Sequence, residues 1–316
     1  MGKYAIGIDV GGTKTAYGVF NEDRYLIKSF QQPSSPELSA EDFFDNITTT
    51  INGLCEGQNI SSNELYGVGI GMPSFINFEE GFIIKTVNLT NIKNFPAKNY
   101  LERKLGNVKV VLDNDSHTGA LAEHRQGAGR GFHNMLYCPV STGISSGMII
   151  DGKLFHGSYG WSGESGHMIV TPGEGIECGC GNIGCLMSWC SGSMISKHVQ
   201  NWIKDGQETI ITSLVDTPEE ITTIHIGEAF HQNDAMAIRA VEQMVKYLAV
   251  WTFNLYVTLN INCFVFGGGL LKMKISLLER VRKVFDDYNR NDMPVYFKTA
   301  ELGDEMGVIG AAELLR

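Results

Sequence analysis

Positive charge is in short supply in this chain. It carries 25 basic side chains against 35 acidic ones, a formal net charge of −10 over 316 residues. Such a field repels a phosphate backbone unless lysines and arginines gather in one patch, and the sequence has no basic run, so no nucleic-acid partner is expected. An apolar leader is missing as well. "MGKYAIGIDV" contains no hydrophobic stretch running to a small-residue cleavage site, which makes a cytoplasmic location the expectation. Clean apolar runs of membrane length are also absent. The nearest, Tyr247 to Phe266, carries Asn254, Asn260 and Asn262 and runs into a glycine triplet, which suits a buried helix followed by a buried strand and no membrane partner. Nor is there an even set of cysteines for a disulfide framework. Of seven, three sit almost side by side, and in a reducing compartment that pattern points to metal.

What is present fits a soluble globular protein of two-domain length, with 43% hydrophobic and 19% charged residues. "YAIGIDVGGTKTAYGVF" reads as strand, turn, strand: alternation from Tyr4 to Val10, a glycine turn at Gly11 to Lys14, and alternation again to Phe20. Gly11 and Gly12 allow a backbone that presents bare N–H groups to an anion, Thr13 and Lys14 add a hydroxyl and a positive charge, and Asp9 is placed to hold Mg²⁺ through water. The alternative is a plain hairpin with a glycine turn. No helix pattern follows Lys14, so the motif is neither a Walker loop nor a dinucleotide fingerprint. A second hairpin of similar build is expected where Met135 to Val140 lead into the turn Ser141 to Gly147 and on to Met148 to Ile150. A third glycine turn, Gly267 to Gly269, closes a short buried strand before a new helix and serves either as punctuation or as a nucleotide contact.

"VKVVLDNDSHTGALAEH" is a buried strand, Val108 to Leu112, delivering Asp113, Asn114 and Asp115 to its carboxyl end, where ligands bind in open α/β sheets. One carboxylate there could take the proton of a hydroxyl attacking a γ-phosphate; equally, Asp and Asn before a helix act as N-caps. Asp113 is expected to be the merely structural member, because Asn114 and Asp115 lie nearer the turn. Within "HMIVTPGEGIECGCGNIGC", His167, Cys178, Cys180 and Cys185 supply one imidazole and three thiolates, a closed tetrahedral set for a structural Zn²⁺ that leaves no position for activating water. The glycine-rich loop buries little apolar surface, so the metal would supply its order. Cys190 is a competing ligand lying beyond the compact loop, while Cys55, Cys138 and Cys263 are expected as small core residues. Glu164, three residues before His167, would be held in place by the same loop.

Taken in order, "DVGGTK", "NDSHTGALAE", "STGISSG", "GESGH" and "CGCGNIGC" resemble the motifs of the ROK family (repressors, open reading frames and sugar kinases) over essentially the full chain. The resemblance implies an α/β, two-domain, actin-like or hexokinase-type ATPase fold with a hinge cleft and a structural zinc loop, transferring phosphate from MgATP to a sugar hydroxyl. It implies a first domain over residues 1–116, completed by a helix at about 302–316, and a second over 117–301. By position it implies Asp115 as catalytic base, with Asn114, Glu164 and His167 on the sugar. Asp9, Gly11, Gly12, Thr13, Lys14, Thr142 and Gly143 would face Mg²⁺ and the phosphates, and Gly268 with Gly269 the adenosine. A homodimer is expected on the same ground, and the helix Asp234 to Leu259 is apolar enough to serve a core or an interface. The chain departs from the pattern at Met187, where family kinases usually carry a glutamate, at Ser141, Ser145 and Ser146, where glycines are usual, and at Ser74 in "MPSFIN". Met187 suggests a sugar substituted at its anomeric end, such as a β-glucoside. The other readings are a non-catalytic sugar sensor and a repressor, which would need a DNA-binding domain ahead of the first hairpin.

Overall fold

The computed structural model describes residues 3–316 and divides the chain into two compact units. One takes the residues up to His133, then Gly147–Ser162 and Glu301–Arg316; the other takes Asn134–Ser146 and Gly163–Ala300. The first stretch of the first unit thus includes the helix that begins at Asp115.

The first unit opens with β1 (Tyr4–Val10), β2 (Lys14–Phe20) and β3 (Leu26–Pro33), then α1 (Ala40–Gly57) and β4 (Leu65–Met72). A small antiparallel sheet of β5 (Ser74–Asn77), β6 (Phe82–Thr86) and β7 (Lys93–Phe95) follows, and α2 (Ala97–Lys104), β8 (Lys109–Asn114) and α3 (Asp115–Arg125) complete this stretch. The main sheet has the order β3-β2-β1-β4-β8, with β1 antiparallel to β2 and parallel to β4, and β4 parallel to β8. One face of its central strands is a continuous apolar layer, with Ile6, Ile8, Val68, Ile70, Val110 and Leu112 fully buried in register, while the other face carries the small residues Ala5, Gly7, Gly67 and Gly69. Against them lies α1, capped by the Ser39 hydroxyl, which accepts from the Asp42 N–H at 3.1 Å. Phe43, Phe44, Ile47 and Ile51 form its buried stripe.

Passing through the second unit with β9 (Met135–Pro139), the chain returns to the first as a short hairpin, β10 (Gly147–Ile150) with β11 (Lys153–Leu154). The strand expected to follow the second turn is present as β10. The second unit continues with α4 (Met187–Cys190), α5 (Gly192–Lys204), α6 (Thr223–His231), α7 (Ala235–Leu259), β12 (Cys263–Gly267), α8 (Leu277–Tyr288) and β13 (Tyr296–Thr299). Strand β12 runs parallel to both β9 and β13. Asp234 caps α7 by accepting from the Ala237 N–H at 2.8 Å, and Asn260 ends it in the left-handed conformation. Tyr247 to Phe266 is therefore the end of a helix and a buried strand, and among the described residues no helix is long and apolar enough to cross a membrane. The helix expected directly after Gly267–Gly269 is a single 3-10 turn, with α8 starting only at Leu277.

A last helix, α9 (Met306–Glu313), belongs to the first unit. It lies so close to β1 and β4 that a Cβ on Gly69 would sit 1.7 Å from the Ala311 carbonyl oxygen, so glycine is required by backbone contact rather than by a turn. It also packs on α3, where a Cβ on Gly310 would sit 2.0 Å from the Thr118 carbonyl oxygen. From α3 the fully buried Glu123 carboxylate accepts from the backbone N–H groups of Ala128, Glu301 and Leu302 at 2.8 to 3.2 Å. Those bonds tie the end of α3 and the returning chain into the first unit.

Candidate active site

In the first unit, register places Asp9 of β1, Gly71 of β4 and Asp113 of β8 side by side, at the carboxyl ends of three parallel strands. Beyond Asp9 the β1–β2 turn closes with a hydrogen bond from the Gly11 N–H to the Lys14 carbonyl at 2.8 Å. Ser34, at the end of β3, braces it: its hydroxyl donates to the Gly11 carbonyl (2.7 Å) and its N–H to the Thr13 carbonyl (3.1 Å). Thr13 and Lys14 are exposed, and Gly11 and Gly12 half-buried, so the turn offers its polar edge to solvent. Burial and the nearby Asp115 charge push the Asp9 carboxyl up to about 6, against the lowering effect of Lys14.

Asp113, Asn114 and Asp115 have three separate tasks. Asn114 is the N-cap of α3, accepting from the Ser116 N–H at 2.8 Å, while its amide donates to the Ser74 carbonyl at 3.3 Å. Asp115, the first residue of α3, accepts from the Ser116 N–H at 2.9 Å and keeps an exposed edge. Protein packed around its carboxyl pushes the pKa up, against the lowering effects of that N–H and of nearby His117. Asp113 is no cap. It is buried and locked by two imidazoles, accepting from His117 Nδ1 at 2.7 Å and His156 Nε2 at 2.6 Å. These are N–H···O distances; a shared metal would hold such atoms about 3 Å or more apart. His117 Nε2 in turn faces the Ser162 carbonyl at 3.0 Å. With an acceptor at each ring nitrogen, both nitrogens must donate, so His117 is an imidazolium paired with the Asp113 carboxylate.

The pH dependence of that pair follows from its shifts. Burial alone would raise Asp113, yet the bonds from His117 and His156 hold it at about 2; burial alone would lower His117, yet its bond to Asp113 raises it. A lowered carboxylate stabilises the fold above its ordinary value of 3.8 and loses that contribution as pH falls toward 2. A raised imidazole contributes fully below its ordinary 6.5 and loses it as pH rises through the folded value. Thermal melts of His117→Gln should therefore fall furthest below the parent between roughly pH 4 and 6.5, with the gap closing on the alkaline side. A gap constant from pH 5 to 9 would contradict the ion pair.

In the second unit the turn Ser141–Ser146 is cross-braced locally. Ser141 N–H donates to the Gly143 carbonyl (3.0 Å), and the N-terminus of α5 closes over the turn with Gly192 N–H on the Ser141 carbonyl (2.7 Å) and the Ser193 hydroxyl on the Thr142 carbonyl (2.8 Å). Ser146 is fully buried and its hydroxyl lies 2.9 Å from that of Ser165, so this departure from glycine is spent on packing. Thr142 and Gly269 line a cavity of about 480 Å³ with Ser193, Ile221, Ile224 and Lys272. Gly143 and Gly268 are outside its lining, and the contributions of α5 and of the Ile221–Ile224 segment went unread in the sequence. The "SGS" at Ser191–Ser193 was the available signal, a small-residue helix start.

The four candidate metal ligands lie together in the second unit. The ligand atoms of His167, Cys178, Cys180 and Cys185 all lie within 4.8 Å of one another. Cys178 Sγ is 3.4 Å from His167 Nδ1, and Cys180 Sγ is 3.6 Å from Cys185 Sγ. Ordinary Zn–S and Zn–N bond lengths give tetrahedral edges of about 3.8 Å for S···S and about 3.6 Å for S···N, and a disulfide would need about 2.05 Å, so the spacing fits zinc. The chemistry of the set agrees: burial and the adjoining Cys180 and Cys178 sulfurs push the Cys185 thiol up to about 12, and thiols this close need a cation to ionise together. A knuckle orders the loop through Cys178 N–H on the Asn182 carbonyl and Gly181 N–H on the Cys178 carbonyl, both 2.8 Å. His167 Nε2 points toward the Glu164 carboxylate at 3.8 Å. Cys190 stays out, its thiol donating to the Leu186 carbonyl, and Met187 sits near Gly143. Cys138 and Cys263 are buried core residues, whereas Cys55 is only half-buried against its core.

Comparison with known proteins bears on these arrangements. The ROK family model matches residues 5–316. A glucokinase from Halalkalibacterium halodurans is 31% identical over 99% of this chain and 95% of its own. Among solved structures, a ROK hexokinase from Thermus thermophilus superposes with a TM-score of 0.85 at 28% identity, covering 98% of this chain and 97% of that one. A ROK family glucokinase from Streptomyces griseus, in complex with glucose and AMPPNP, gives 0.79 at 29% identity and 98% coverage of both chains.

Proposed function

The chain belongs to the ROK family, and from that membership we propose that it is an ATP-dependent sugar kinase, transferring the γ-phosphate of MgATP to a hydroxyl, the 6-hydroxyl, of a hexose or hexose derivative. One observation carries the reading: Asp115 opens α3 as a carboxylate with an exposed edge, beside an Asn114 whose amide is fixed on Ser74, in the same unit as the β1–β2 turn. The substrate hydroxyl gives its proton to Asp115, its oxygen bonds to the γ-phosphorus, and the bond to the bridging oxygen breaks to release ADP. Asn114, Glu164 and His167 are assigned to sugar hydroxyls. Asp9 would hold the Mg²⁺ that accompanies ATP. Gly11, Gly12, Thr13, Lys14, Thr142 and Gly143 take the phosphates, and Gly268 with Gly269 the adenosine. The cavity beside Thr142 and Gly269, with apolar walls at Ile221, Ile224 and Leu270, supports a flat base there.

Zinc on His167, Cys178, Cys180 and Cys185 belongs to the proposal as a structural ion; when bound it supplies rigidity and no reaction chemistry. A cytoplasmic homodimer is proposed from the family resemblance. A second reading of the substrate rests on Met187, which offers a thioether where family kinases usually have a carboxylate, and favours a sugar substituted at the anomeric end.

The test is coupled ATP turnover against free hexoses, N-acetylhexosamines and β-glucosides. Turnover with one group is expected, at no less than ten times the sugar-free ATPase rate. A folded, zinc-loaded protein that turns over none of them would move the chain to the sugar-sensor reading.

A further inference from the structure

The loop from Phe155 to Ser162 carries large aromatic side chains into solvent. Tyr159 is 76% exposed and Trp161 41%. Trp161 meets the half-buried Phe75 edge to face, with centroids 5.4 Å apart, and Tyr159 lies 5.8 Å from Trp161 on its other side. The three rings form a stepped shelf, with the Trp161 plane at 88° to that of Phe75 and at 39° to that of Tyr159, and Lys85 places its ammonium 4.6 Å from the Phe75 centroid as a charged rim. Loop tips usually carry small polar residues, so exposed rings in contact with one another mark a binding surface.

The shelf is anchored rather than loose. Gly160, at φ +82°, brings the loop so close to β5 that a Cβ would sit 2.7 Å from the Ile76 carbonyl oxygen. His156 stacks on Phe78 with centroids 3.7 Å apart and bonds Asp113, while the Ser162 carbonyl accepts from His117. Both ends of the aromatic stretch are thus pinned to the residues that precede and follow Asn114 and Asp115. Its inner edge is equally close: Phe75 follows Ser74, whose carbonyl receives the Asn114 amide.

A pyranose has an apolar face of C–H bonds ringed by equatorial hydroxyls, and an aromatic face with a polar rim is its complement. Asn114 and Asp115 offer polar groups to a sugar's hydroxyls, whereas Phe75, Tyr159 and Trp161 offer apolar faces suited to its C–H bonds. Resting on the sugar-kinase reading, we infer that Phe75, Tyr159 and Trp161 form a subsite for a second pyranose, so that the substrate is a disaccharide phosphorylated on the ring nearest Asp115. The inference is independent of Met187, which lies in the other unit.

Calorimetric titration without nucleotide, comparing cellobiose, maltose and glucose, tests binding apart from activity. At least one disaccharide should bind about tenfold more tightly than glucose, and Trp161→Ala should remove that advantage while Trp161→Phe retains part of it. In coupled turnover the same Trp161→Ala change should raise KM for that disaccharide about tenfold more than KM for glucose. Tyr159→Ala, at a side chain exposed enough to leave folding undisturbed, should shift the KM ratio in the same direction. Equal affinity for glucose and both disaccharides in the parent, or equal KM changes in the variants, would overturn the subsite. Absence of turnover with every sugar, together with a disaccharide preference lost in Trp161→Ala, would reject the kinase reading and leave the subsite standing.

Discussion

Replacing Asp115 by asparagine is expected to reduce phosphoryl transfer by about 10²- to 10⁴-fold, the range associated with losing a positioned general base. Asparagine keeps the size of the side chain and an oxygen able to accept from the Ser116 N–H, now at 2.9 Å, so α3 should still start where it does. It cannot take a proton from the attacking hydroxyl. The loss should therefore fall on kcat, with sugar affinity by calorimetry within a few-fold of the parent. The change also removes the charge that helps hold Asp9 high, so the variant should not lose nucleotide binding through repulsion. Turnover near the parent rate would take Asp115 out of the role proposed for it.

The second large effect is expected at the metal cluster. Cys180→Ser replaces a thiolate by a weaker ligand at the exposed corner of the set, and the purified variant should carry well under one zinc per chain. Apart from the knuckle, the loop from His167 to Cys185 is held by a few bonds at its two ends, among them Val170 N–H on the Gly184 carbonyl at 2.9 Å, Leu186 N–H on the Met168 carbonyl at 2.8 Å and the Trp189 indole N–H on the Thr171 hydroxyl at 2.7 Å. Structural zinc in small motifs contributes roughly 10 kcal/mol of apparent binding energy, so its loss should release the loop. Glu164 and His167 would lose their placement, and sugar KM should rise about 10- to 100-fold, as when groups that orient a site are removed. Treatment of the parent with a strong chelator should reproduce the shift. Unchanged sugar KM in a metal-free variant would show that the loop does not position those residues.

Some of this was legible because the partners are near in the chain. The β1–β2 hairpin is written in alternation and a four-residue turn, and the structure repeats it from Tyr4 to Phe20. The three candidate cysteine ligands are spaced by a glycine-rich knuckle whose hydrogen bonds span four residues or fewer. Even the separation of Asp113 from its two neighbours was expected, since Asn114 and Asp115 stand nearer the helix start. What Asp113 does was not readable. One of its partners, His117, is four residues on, but the other, His156, is 43 residues away on a loop with no motif of its own.

The sequence by itself determined the fold class and the family, and it supplied the residue types proposed to hold phosphate, a proton and a metal, because turns, caps and ligand knuckles are set by neighbours a few positions apart. Only the tertiary structure decided where the first unit ends, which serine of the second turn is buried, what lines the cavity beside Thr142, and that Phe75, Tyr159 and Trp161 meet. Each of those depends on contacts between segments tens to hundreds of residues apart, such as Glu123 on Glu301 and Gly69 on Ala311. Backbone approach and side-chain satisfaction select such pairs during packing, and no local pattern announces them.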